Sequence, residues 1–246
     1  MGSSKKKVVS LIKPVQKKAP QYSEEMIQDC LLIMQSGDIE DLFEIIPRIG
    51  VLRDPRFTDS LLDLLFNGDI KRREFAAYAL GAMGLREFLN PLKQAFLESR
   101  KMKGFGTEEF QIAVIEAIGA IGDDAAVDFF LPLLKNCEEA KGAKIARWIV
   151  ESLGSIAQQG GERSLDALVE LTHQSQPELQ ALALSEISVA FWHRPNEIDE
   201  NILARICQLT ADRSAVVAES AVAALQSLAD VGCRRAEELF PEHNQI

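Results

Sequence analysis

Apolar side chains recur along this chain at spacings of three, four and seven, the period that lines one face of a helix. In the stretch 24–36 the residues Ile27, Cys30, Leu31 and Met34 share such a face. Ser23, Glu24 and Glu25 precede it, a hydroxyl and two acids suited to the free N–H groups and positive dipole of a first turn. The pattern then repeats in pairs. It predicts helices over 39–49 and 56–66, 71–83 and 86–100, and 107–121 and 125–136. Three further pairs follow, at 143–158 and 162–174, 177–191 and 197–210, and 214–230 and 234–240. Pro177 suits the first turn of its helix, where a missing N–H costs nothing.

A second regularity lies over the first. At the end of each first helix an aliphatic-x-x-aliphatic-small pattern returns every 34 to 38 residues. It reads Ile46–Gly50, Leu80–Gly84, Ile118–Gly122 and Leu153–Ala157, then weakens at Ile187–Phe191 and Leu225–Ala229. A period of this length marks a solenoid, whose units bury their apolar faces only against one another. The expected fold is all-α: an α-α superhelix of about six helix pairs, with the helix at 24–36 capping the N-terminal end. Gly50, Gly84 and Gly122 fall where a residue of positive φ ends a helix. Gly81, Gly119 and Gly154 sit inside helices, where glycine costs about 1 kcal/mol against alanine. Their recurrence at one repeat position predicts close approach of a neighbouring helix.

Charge divides the chain. Residues 1–23 carry six lysines and no acid, whereas the whole chain is formally −10, leaving −16 on the remainder. Residues 1–22 read as a disordered basic tail, with Pro14 and Pro20 and no sustained apolar period. The repeat domain spans 23–240, and a short tail follows at 241–246. An acidic body repels phosphate backbones, so nucleic acid is not an expected partner. A basic protein partner suits it better. Val8, Val9, Leu11 and Ile12 among the lysines offer the tail contact with an anionic membrane surface, or the tail could lie in an acidic groove of its own chain. No stretch resembles a signal peptide or a spanning helix, and a cytoplasmic location is expected. Cys30, Cys137, Cys207 and Cys233 have neither metal-ligand nor disulfide-framework spacing, so no metal and no cofactor is expected.

The stretch 112–136, Ile-Ala-Val-Ile-Glu-Ala-Ile-Gly-Ala-Ile-Gly-Asp-Asp-Ala-Ala-Val-Asp-Phe-Phe-Leu-Pro-Leu-Leu-Lys-Asn, resembles HEAT repeats, and in particular the short bacterial HEAT-like repeats of the phycobilisome-lyase kind. A second copy runs from Leu52-Arg53-Asp54-Pro55 to Leu61-Leu62-Asp63-Leu64-Leu65. The resemblance covers about 39–240 and weakens in the last two units, where the turn glycine is missing. It implies a right-handed superhelix with second helices on the concave side. The family includes bilin lyases, chromophore-detaching factors and scaffolds without enzymatic role. No bilin-attachment signature is present to carry over.

Aligning the second helices stacks Asp59, Asn90, Asp128 and Asp166 at one repeat position, with Asp63 and Glu170 one turn on. On a concave face these would hold a basic segment; as first-turn acids they also serve the helix dipole, at about 0.3–1 kcal/mol each. Phe191-Trp192-His193-Arg194-Pro195 unites an indole, an imidazole and a guanidinium. Trp192 and Arg194 are therefore candidate anchors for a protein partner, although Trp192 could instead pack over an irregular turn. Trp148 shares its repeat position with Phe75, Ala113 and Leu182 and reads as packing. His173, His193 and His243 lack a triad arrangement with Cys or Ser, so catalysis finds no candidate. The expected function is a non-catalytic protein-binding scaffold; the alternative implied by the resemblance is a bilin lyase or chromophore-detaching factor acting on a phycobiliprotein, with bilin as ligand.

Overall fold

The computed structural model describes residues 24–135 and 143–239. The basic tail at 1–22, Ser23, Cys137, the linker at 138–142, His243 and the tail at 241–246 lie outside the described residues. Among those described, every regular element is helical. α1 (Glu24–Ser36) precedes six units. Unit one holds α2 (Ile39–Glu44), α3 (Ile46–Leu52) and α4 (Thr58–Asn67). Unit two holds α5 (Ile70–Met83) and α6 (Leu89–Ser99), and unit three α7 (Thr107–Ile121) and α8 (Val127–Lys135). Unit four is α9 (Ala143–Gln158) with α10 (Glu162–Leu171), and unit five α11 (Pro177–Ala190) with α12 (Glu200–Leu209). Unit six, α13 (Ala215–Asp230) with α14 (Arg234–Leu239), completes the stack.

Local chemistry sets these boundaries. Asp38, Asp69 and Asp199 cap α2, α5 and α12 by accepting from first-turn N–H groups. Gly84 and Gly122 end α5 and α7 at φ 61° and 74°, the left-handed conformation that lets a helix stop. Unit one departs from expectation twice. Its first helix breaks at Ile45, because Pro47 has no N–H to return to residue 43. Gly50 lies inside α3 rather than past it, and the left-handed residue there is Arg53, at φ 47°.

One continuous core runs from Ile27 in α1 to Ala236 in α14. The two layers of the stack are built differently. First helices pack directly on one another: α3 on α5, α5 on α7, α7 on α9, α9 on α11 and α11 on α13. The glycines inside them make this possible. A Cβ on Gly81 would lie 2.6 Å from the Ala117 Cα, and one on Gly119 would lie 2.8 Å from the Ser152 Cβ.

Second helices touch each other far less and are joined by long side chains. Arg163 bonds Asp128, Lys93 Nζ donates to the Ala125 carbonyl at 3.0 Å, and Arg235 pairs with Glu200. Two joined layers of unequal spacing bend toward the tighter one, which places the first helices on the inner side. The second helices, expected to line that side, form the wider outer layer.

Candidate functional site

The inner surface is built from the side chains that first helices turn away from the core. Equivalent positions are Tyr78, Glu116, Glu151, Ser185 and Ala223, with Glu74 and Arg147 one turn earlier on α5 and α9. Tyr78 donates its hydroxyl proton to the Glu116 Oε2 at 2.8 Å, joining α5 to α7. Burial and this carboxylate hold the phenol well above its ordinary range. Lys71 pairs with Glu74 at 2.8 Å, and Arg147 with Glu151 at 2.7 Å. Both cations remain largely solvent-exposed, so neither pair is firmly held. Trp148 and Leu182 lie half-buried beside them, packed against the core.

Glu186 is the anomaly of this surface. Its repeat position is held by Ala79, Ala117, Ser152 and Ala224 in the other first helices, small and buried residues. Of these, Ala117 and Ser152 meet the glycine of the preceding helix, Gly81 and Gly119. In α11 a glutamate takes that place over Gly154, with its carboxylate in the crease between α9 and α11. A Cβ on Gly154 would lie 2.9 Å from the Glu186 Cβ. Burial, and after it the charge on Glu151, pushes the Glu186 carboxyl up to about 7, against a smaller opposing pull from Arg147. The periodic reading missed this residue because it weighed the glycines of the repeat and not the small residues facing them.

The residues singled out beforehand sit elsewhere. Asp59 and Asp63 on α4, Asn90 on α6, Asp128 on α8, and Asp166 and Glu170 on α10 are all exposed on the layer of second helices. Asp63 accepts from Asn67 at 2.8 Å. Asp128 is held by the Arg163 guanidinium, which also lowers its carboxyl below the usual range. The turn after α11 packs through Phe191, which is buried, and leaves Trp192 half exposed. Arg194 staples units four and five together. Its Nη2 donates to the Ala157 carbonyl at 2.8 Å, and its guanidinium lies 5.6 Å from the Phe191 ring centre. Its Nε reaches no acceptor among the described residues. Cys30 and Cys233 are buried and Cys207 is partly so.

Residues 106–188 match the family model described as HEAT repeats. Among solved structures, the crystal structure of an engineered protein determined by the Northeast Structural Genomics Consortium is similar over 85% of this chain and 98% of its own, at 16% identity and a TM-score of 0.43. No curated protein matches the chain. Among the described residues no helix is long and apolar enough to cross a membrane. The matched segment spans units three and four and most of the first helix of unit five of this all-α solenoid, about a third of the chain.

Proposed function

We propose that the chain is a non-catalytic scaffold that holds a basic protein segment along the inner face of its first helices. The observation that carries this reading is Glu186. A half-buried carboxylate without an ion pair among the described residues, placed where the other units use alanine or serine, lowers stability and improves no packing. Such a local cost is found where function asks for it. Glu151 lies within electrostatic reach, Glu74 and Glu116 extend the negative row to α5 and α7, and Tyr78 and Trp148 add aromatic surface. A lysine or arginine of a partner, arriving in the crease, would neutralise Glu186 and compete with Arg147 for Glu151. The preformed helices need little ordering on association.

Charge reversal separates the two faces. Capture of the native partner from the host, identified by mass spectrometry, should fall at least about tenfold in affinity for the double variant Glu116→Lys/Glu151→Lys. Asp59→Lys/Asp166→Lys on the outer layer should leave it unchanged. The opposite result would move the interface to the outer second helices and to Asp59, Asp63, Asn90, Asp128, Asp166 and Glu170. The bilin reading has no observation in its favour among the described residues. Co-expression with a bilin and an acceptor protein tests it, a coloured adduct being the result that would revive it.

A further inference from the structure

The connection between units two and three differs from its counterparts in length and chemistry. A second helix passes to the next first helix through residues 68–69 in unit one, and through 172–176 and 210–214 farther along. Between α6 and α7 the same crossing takes residues 100–106, Arg-Lys-Met-Lys-Gly-Phe-Gly. Two residues suffice for this passage in unit one, so the stack itself does not require the length. Those three shorter crossings hold no Phe, Trp or Tyr, and of Lys and Arg only Arg213. The 100–106 loop holds three cations, one aromatic ring and no acid.

This loop is pinned at its ends and bare at its tip. Met102 lies against Arg73, whose Nη1 is 3.8 Å from the Met102 Sδ. Gly106, at φ 85°, is buried on α5, where a Cβ would lie 3.2 Å from the Ile70 Cγ1 and Cγ2. The Thr107 hydroxyl donates to the Gly104 carbonyl at 3.1 Å. Between these contacts Phe105 is 97% exposed, more than any other large apolar side chain described. Leu97, on α6 one turn before Arg100 and Lys101, is 49% exposed. Arg100, Lys101 and Lys103 are exposed and bond no acid among the described residues. Lys71 and Arg72, at the start of the helix that carries the loop, are by contrast paired with Glu74 and Asp69.

Single exposed apolar residues are ordinary on any surface. Phe105 stands instead at the tip of a surplus loop, among unpaired cations. We infer that the 100–106 loop, with Leu97, is a contact site for an anionic lipid bilayer. Charge selects the occupant. In a chain that is formally −10, a local run of cations without acids suits a surface of anionic headgroups, where each Lys or Arg adds attraction. Shape selects a bilayer over a folded partner. A ring bare on nearly every side needs an apolar medium that closes around it, and acyl chains do so without a preformed pocket. The cations stay at headgroup level while Phe105 reaches the acyl boundary beneath. The acidic remainder opposes this little, because charges farther than about 10 Å from the surface are screened at 0.1 M salt. So small a contact is reversible, and it holds the stack at a membrane surface without inserting a helix.

Co-sedimentation of the full chain with vesicles tests this contact. Binding to phosphatidylcholine vesicles that contain phosphatidylserine is expected, with none to phosphatidylcholine alone. Phe105→Ala and Lys101→Glu/Lys103→Glu should each weaken it at least about tenfold. Their circular dichroism spectra should not change, since these side chains are exposed. The six lysines of residues 1–23 attract the same vesicles, so a probe at the loop tip separates the two. In Phe105→Trp, emission should shift to the blue on binding and be quenched by brominated lipid, beyond any change in the wild-type chain. Absence of vesicle binding overturns the proposal. So does binding that both loop variants leave intact, or a Phe105→Trp emission that brominated lipid quenches no more than the wild type's, because the contact would lie elsewhere. Loop variants that lose an acidic protein or a single-stranded oligonucleotide, in a chain that ignores vesicles, would assign the loop to that partner and refute the bilayer.

Discussion

A single methyl group separates the residues that hold this stack together from those that would push it apart. Gly81 is the clearest case. A Cβ there would meet both the Cα and the Cβ of Ala117 inside 3.0 Å, and neither can move without its helix. Alanine gains about 1 kcal/mol of helix propensity, but overpacking of a fixed backbone costs typically about 1–3 kcal/mol, more where relief requires a helix shift. Gly81→Ala should therefore destabilise the protein by about 1–2 kcal/mol, read as a lower urea midpoint. Glu186 poses the opposite case. Its folded carboxyl titrates near 7, above the ordinary glutamate value of 4.5, so the folded state holds the proton more tightly. Stability should fall as pH rises from about 4.5 through 7, and the loss is complete above 7. Glu186→Ala should flatten that slope and raise stability at pH 8 by roughly 1–2 kcal/mol, allowing for the exposed part of the group. Thermal melts of both proteins at pH 5 and pH 8 provide the check, and equal slopes would contradict the burial argument.

Helices were the most legible feature of the sequence, for reasons that differ along the chain. α1, α7 and α9 run as expected because apolar periodicity, a polar start and a small or acidic stop agree at each end. Second helices begin later than periodicity alone implies. Single 3-10 turns at Pro55–Phe57, Arg86–Phe88 and Asp124–Ala126 come first, and apolar spacing cannot separate a tight turn from the helix that follows. The cap of α5 was not read from the sequence, where Asp69 only ended the preceding helix. Asp69 Oδ1 accepts from the N–H groups of Lys71 and Arg72 at 3.1 and 3.0 Å, and it starts the helix that bears Gly81. Asp69→Ala should cost about 1 kcal/mol and increase amide exchange in the first turn of α5, with no change in the last turn of α13. Acids of this kind in the outer row have a structural role whether or not a partner binds there. Asp59 and Asp128 occupy first turns, where the helix dipole rewards a negative charge whatever the surface does.

At the scale of the whole molecule, the repeat period implied a solenoid, and the helix contacts bear it out. A stack of six units should scatter as an elongated particle, with a radius of gyration clearly above the ~18 Å expected of a compact domain of this length; a value at that level would reject the architecture. The sequence could not reveal which layer lies inside. That depends on which row of helices approaches more closely, and so on pairs such as Gly81 with Ala117 or Gly154 with Glu186, far apart in the chain. The proposed inner interface uses Glu74, Glu116, Glu151 and Glu186 in place of Asp59, Asp128 and Asp166. Zero-length carbodiimide cross-linking to a lysine-rich peptide tests that reassignment most directly, because it joins an amine only to a carboxylate in contact with it. Adducts on Glu116, Glu151 and Glu186, suppressed by salt, are the expected result; adducts confined to Asp59, Asp166 and Glu170 would contradict an inner binding face.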